Sequence, residues 1–186
     1  VAETAPSCEV STVLRVGATV STLLDAADGA HLVVLGREHR SRLESVFTGS
    51  TTVGAAGRAA CPVVSVPPAW TPGESRDRVV VGVRSPSHST ELLGRAYAAA
   101  EARGARLVVL HAWADSPPPH RDPRCVTEAG RRLLGERVDA HDTGDVAVEQ
   151  IVVHAHPRKE LVERSGTAQL VVLGDRGRGG FPGLLL

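Results

Sequence analysis

The chain has 186 residues, of which 42% are hydrophobic and 23% charged, enough apolar content for one or two packed domains. Its 21 basic and 21 acidic residues cancel, so no global field draws it to nucleic acid or to an anionic membrane. Aromatic residues are only 3% of the chain, which argues against a base-stacking platform, and no run reaches the roughly 20 apolar residues of a membrane span.

In chain order, residues Glu9–Val16 read as a short strand, Ala18–Ala27 as a helix and His31–Leu35 as a buried strand. Thr51–Ala60 reads as a helix of small residues, followed by a strand over Pro62–Val66. The stretch from Pro67 to Arg78, with its prolines, glycine and polar residues, reads as a linker. Beyond it, Val79–Val83 is a strand and Glu91–Arg103 a helix with Leu92, Leu93, Ala96, Tyr97 and Ala100 on one face. Leu107–Leu110 is the next strand, Pro117–Pro123 a loop and Val126–Ala140 a helix. Val146–Val153, Arg158–Arg164 and Leu170–Leu173 complete the series as strand, helix and strand. The strands are continuous Val/Leu/Ile runs, as expected where both faces are covered. Alternating strands and helices of this kind predict an α/β fold with a mostly parallel sheet.

Val13–Gly36 and Ile151–Gly174 align without a gap, and both end in Leu-Val-Val-Leu-Gly. The repeat sets the phase of the chain. After Gly36 comes a full loop, a helix and a strand; after Gly174 the sequence stops within the same kind of loop. The chain therefore reads as a window on a two-domain tandem repeat. Residues 1–67 are the C-terminal part of a first domain, 68–78 the linker, and 79–186 the N-terminal part of a second domain, ending before its last helix and strand.

The loops after the repeated strands hold the candidate chemistry. Gly36 ends one strand, and Gly49-Ser50-Thr51 opens the following helix. Glycine admits a phosphate to the backbone, the free N–H groups of a helix start face an anion, and hydroxyls add donors. Arg37, Arg40 and Arg42 crowd the same loop. The plainer reading makes Ser50 or Thr51 an N-cap and the arginines a solvated loop. The second loop carries Gly174, Gly177 and an Arg-Gly-Gly run, a single copy that is weak evidence for RNA.

The pattern Gly-x2-Gly-x9-Gly-Ser/Thr after a hydrophobic strand resembles the nucleotide-binding signature of the universal stress protein family. Gly174-x2-Gly177, followed by Gly-Phe-x-Gly-Leu-Leu-Leu, is similar to tandem members of that family from high-GC bacteria. Val79–Val83 with the Leu93–Ala100 helix resembles its first strand and helix, Leu107–Trp113 its second strand, and Cys61-Pro62-Val63-Val64 the opening of its fifth. The resemblance implies a Rossmann-like sheet of order 3-2-1-4-5 with ligand at the strand C-terminal ends. It further implies an adenine nucleotide, ATP, as cofactor. Gly82 and Arg84 would stand by base and ribose, Ala112 would offer backbone groups to adenine, and Gly174 and Gly177 would approach phosphates. In the first half, Gly36, His39, Gly49, Ser50 and Thr51 match the loop. Two positions depart from the pattern. Arg84 stands where ATP-binding members carry Asp, and His39 replaces a loop glycine.

No catalytic constellation is legible. His154 and His156 lie two apart at a strand end, but no carboxylate or Cys cluster completes a metal site. Ser85, Ser87, His88 and Ser89 lack a Gly-x-Ser-x-Gly elbow, and Ser87 or Ser89 reads as a helix cap. Cys8, Cys61 and Cys125 form no C-x-x-C, and no leader pattern is visible, so free thiols in the cytoplasm are expected. The expected function is an adenine-nucleotide-binding stress-response regulator and not an enzyme. The alternative is a non-nucleotide-binding relative that works as an interaction or dimerisation module. A homo-oligomer or swapped dimer through exposed strands is expected, with Pro62–Val66 of this or a second copy covering the edge left at the last strand.

Overall fold

The computed structural model describes residues 8–36, 51–67, 77–85, 89–114, 122–141 and 144–174. They belong to two compact units, divided after residue 71.

The first unit contains α1 (Thr19–Ala26), β1 (Val33–Gly36), α2 (Thr51–Ala56) and β2 (Val63–Val66). β1 and β2 are parallel, with Val33 opposite Val63 and Gly36 opposite Val66. Gly54 lets α2 approach α1: a Cβ there would lie 3.1 Å from a methyl of Val20. Only Val33 and Ala55 are fully buried among the described residues of this unit. The strand expected over Glu9–Val16 is absent; these residues belong to no helix or strand and are exposed, Leu14 at 96%. Its repeat counterpart is Val148–His154, which is held as a strand by pairing with a neighbour. Among the described residues nothing pairs with 9–16, and an apolar pattern without a ladder partner forms no strand.

The second unit contains β3 (Arg78–Gly82), α3 (Thr90–Glu101), β4 (Arg106–Trp113), α4 (Pro123–Asp139), β5 (Val148–His154), α5 (Pro157–Ser165) and β6 (Leu170–Leu173). All four strands are parallel, in the order β5-β4-β3-β6. This is the 3-2-1-4 portion of the expected sheet, and β1-β2 supplies the 4-5 neighbours within the first unit. Pro62–Val66 is thus engaged by β1.

Side-chain alternation divides the core between the two sheet faces. Val79, Val81, Leu107 and Val109 pack under α3 and α4, against Leu93, Ala96, Tyr97, Leu134 and Val138. Val80, Val108 and Ala168 form a smaller cluster on the other face with Ile151 and Val171. Alanines at 96 and 100 bring α3 close to the sheet, and Gly104 at φ +57° turns the chain into β4 where an L side chain would be strained. The Tyr97 hydroxyl donates to the Val138 carbonyl at 3.3 Å, tying α3 to α4.

Several boundaries differ from the sequence reading, α2 ending at Ala56 instead of Ala60 among them, and two of the differences have a visible cause. α4 starts at Pro123, not Val126, because Asp122 caps it (its Oδ1 accepts from the Arg124 N–H at 2.8 Å) and proline suits the first helical position. β4 runs past the apolar run that stops at Leu110 and reaches Trp113, the end that the family resemblance implies, because β5 pairs with it up to Trp113–His154. The expected loop over residues 37–50, most of the linker, Ser87, His88 and residues 115–121 lie outside the described residues.

Candidate functional site

In the second unit the chain winds leftward from β3 to β4 to β5, then crosses to the far side of β3 as β6. The direction of winding therefore reverses between β3 and β6. A crevice at such a reversal, outside the strand C-terminal ends, is where open parallel sheets take ligands.

Gly82 and Arg84 form one wall. Gly82 ends β3 and pairs with Leu173, so Gly174 stands across from Val83 as the opposite wall. The β3–β4 register, carried two residues past Leu110, sets Ala112 level with Arg84. Four of the expected positions, Gly82, Arg84, Ala112 and Gly174, thus meet at one end of the sheet. Gly36 and Thr51 belong to the first unit, at the end of β1 and the start of α2. His39, Gly49, Ser50 and Gly177 lie outside the described residues.

The structure also gives Gly82 a packing role. A Cβ at Gly82 would lie 2.8 Å from Leu173 Cδ2 and 3.0 Å from Leu161 Cδ2. Its lack of a side chain is therefore used by α5 and β6 within the fold itself. Gly174 is less constrained, with Leu92 at 3.4 Å, and nothing described lies within 4 Å of a Cβ at Gly36. Close approach of a ligand would give those two glycines a purpose that packing does not.

His111 was missed by the sequence reading and anchors the crevice. Its Nδ1 lies 2.8 Å from the Val83 carbonyl, and the Val83 N–H donates to the Leu110 carbonyl at 2.8 Å. Val83 is held from both sides, so Arg84 leaves from a fixed point. One residue past Ala112, Trp113 stacks on His154 with centroids 4.0 Å apart and planes 15° apart. Its indole Nε1 is buried with no hydrogen-bond partner among the described residues. Neither feature has a local sequence signal; both follow from the β3–β4 and β4–β5 registers.

Ser89 occupies the N-cap position of α3 and is buried, with no side-chain cap hydrogen bond. Among the described residues no three His, Cys, Asp or Glu side chains could jointly hold a metal ion. A cavity of about 350 Å³ lies at the other end of the strands, lined by Asp77, Glu101, Arg106 and Asp145 among others. Arg106 there is engaged by Asp77 at 3.2 Å. We favour the crevice over this cavity as the ligand site, because the cavity opens at strand N-terminal ends, away from the reversal. No described helix is long and apolar enough to cross a membrane.

Fold and crevice together define a doubly wound, parallel α/β protein of the Rossmann-like class. The model of the universal stress protein family matches residues 1–67 and 75–186, and the chain belongs to that family. It is 37% identical to a universal stress protein of Mycolicibacterium smegmatis over 183 residues, 95% of this chain and 62% of that protein. A universal stress protein of Mycobacterium tuberculosis is 36% identical over 176 residues, 91% of this chain and 59% of that one. The chain thus spans about three fifths of the length of these relatives, and their names describe stress proteins without a reaction. A crystal structure of a universal stress protein from Archaeoglobus fulgidus superimposes with a TM-score of 0.63 at 19% identity, covering 86% of this chain and 55% of that one. At that identity the likeness concerns the fold.

Proposed function

We propose that the chain binds an adenine nucleotide, ATP in the first instance, in the β3/β6 crevice and acts as a stress-response regulator without turnover. The observation that carries this reading is the meeting of Gly82, Arg84, Ala112 and Gly174 at the strand reversal. Gly174 would let phosphate oxygens approach the backbone, and the β4 end at Ala112 would offer N–H and C=O groups to the base. In the first unit, Gly36 and Thr51 would serve the equivalent loop. We further propose that the two units are complementary portions of tandem domains, 1–67 and 79–186, joined by 68–78.

The test is nucleotide content. Purified protein is denatured, its supernatant resolved by anion exchange with ultraviolet detection, and stripped protein titrated with ATP. Co-purified nucleotide or micromolar binding supports the reading. A folded chain that carries no nucleotide and ignores millimolar ATP sinks it.

A second reading has its own support. Leu32, just before β1, is 48% exposed and Val34 on it 59%, whereas their repeat counterparts Leu170 and Val172 pack against the core of the second unit. Uncovered apolar strand residues favour an interaction module that covers them with another chain, including a second copy as homo-oligomer or swapped dimer. Sedimentation across a concentration series separates the two: a strictly monomeric chain at high concentration removes the self-association version.

A further inference from the structure

We infer that Arg84 makes the crevice selective for adenine nucleotides that carry a phosphate on the ribose itself. This rests on the nucleotide reading above. Arg84 is exposed, and among the described residues it enters no hydrogen bond or ion pair. Several other arginines of the unit are engaged by carboxylates: Arg78 and Arg106 face Asp77, Arg95 faces Glu91, and Arg164 faces Glu160. A guanidinium left uncommitted at a ligand crevice is available to a ligand anion.

Position decides which anion. Arg84 leaves the β3 wall from a backbone pinned by Leu110 and His111, while Gly174 stands on the β6 wall. The glycine wall suits the 5′-phosphate chain, because only there does bare backbone offer itself without a packing claim on the glycine. The ribose of a nucleotide seated that way lies toward the arginine wall. In dinucleotide-binding sheets an acidic residue near the ribose accepts from its hydroxyls, whereas an arginine accommodates a ribose phosphate. Arginine has no acceptor for a hydroxyl, but it can grip a phosphate monoester with two parallel N–H donors.

Adenosine 3′,5′-bisphosphate and ADP are isomers: the second phosphate sits on the ribose in one and on the 5′ chain in the other. Isothermal titration of the stripped full chain at fixed ionic strength compares them directly, with adenosine 2′,5′-bisphosphate as a third ligand. A ribose-phosphorylated isomer should bind about tenfold or more tighter than ADP, the size of one charge-assisted hydrogen-bonding contact. Arg84→Gln should bring the affinities within about twofold of each other, and Arg84→Lys should keep part of the preference. Because the side chain is exposed, neither change threatens the core. ADP binding as well as or better than both isomers would overturn the inference and leave the nucleotide reading standing, as would a preference that survives Arg84→Gln. Failure of all three ligands to bind a folded chain would overturn both.

Discussion

Replacing Gly82 by alanine tests whether the end of β3 is shaped by packing or by ligand. The new methyl would sit 2.8 Å from Leu173 Cδ2 and 3.0 Å from Leu161 Cδ2. Ordinary carbon contacts fall near 3.5–4.0 Å, so the methyl is about 0.7–1.2 Å too close to Leu173 and about 0.5–1 Å too close to Leu161. Overpacking of this kind costs about 1–3 kcal/mol. Both obstacles are ends of leucine side chains, and Leu173 is 48% exposed and free to turn, which favours the low end. Alanine also stiffens the unfolded chain, offsetting roughly 0.4–1 kcal/mol. The net expectation is destabilisation by about 1 kcal/mol, or about 4–8 °C in Tm for a unit of this size. Urea unfolding followed by circular dichroism reads it, with midpoint shifted and slope retained. Leu173→Ala should relieve part of the clash, so the double variant should cost about 0.5–1 kcal/mol less than the sum of the singles. A neutral or stabilising Gly82→Ala, or strict additivity with Leu173→Ala, would refute the packing role. Loss of nucleotide binding without loss of stability would then assign Gly82 to the ligand.

Leu134→Ala removes a fully buried side chain between α4 and the sheet and should cost about 2–5 kcal/mol; a loss below ~1 kcal/mol in the same urea assay would mean that α4 does not seal this face. Asp122→Ala deletes the cap whose Oδ1 meets the Arg124 N–H at 2.8 Å, and should lower stability by about 1 kcal/mol, with Asp122→Ser recovering most of it. Arg95→Ala breaks an exposed pair to Glu91 and should change the unfolding free energy in the urea assay by less than about 0.5 kcal/mol; a larger drop would mean that the pair is not solvent-screened.

Much of the fold was legible because its signals are local. Valine runs at 79–83 and 170–173 mark covered strands whatever their neighbours, and the α3 face at Leu93, Ala96, Tyr97 and Ala100 declares which side is buried. The sheet order followed from the family resemblance, and its 3-2-1-4 portion is observed in the second unit. What failed depended on partners. Glu9–Val16 has the residues of a strand and, among the described residues, no ladder to join; His111–Trp113 lacks an apolar run, so only the resemblance and not the local pattern implied its place in β4, where β5 holds it. Pro123 looked like loop because proline breaks helices, yet at the first turn behind an Asp cap it starts one. At the crevice, Gly82 was read as room for a ligand; its packing role depends on Leu161, which is far away in sequence and placed by the crossover through α5. The His111 contact with Val83 was invisible for the same reason, since it spans two strands whose register no local pattern encodes.

The pentapeptide Leu-Val-Val-Leu-Gly stands twice in this chain, seated on β3 as residues 170–174 and on β2 as residues 32–36. During refolding, β3 has no side-chain basis for telling one copy from the other. The copy 32–36 is therefore a competitor built into the polypeptide, able to occupy the growing nucleus in place of the correct strand, as in the misassembly of repeat proteins. We expect a slow refolding phase that is insensitive to prolyl isomerase, which sets it apart from the 12 prolines. Val34→Asp disables the competitor while leaving Leu170–Gly174 intact, and should abolish that phase; unchanged kinetics in that variant would rule out the competition.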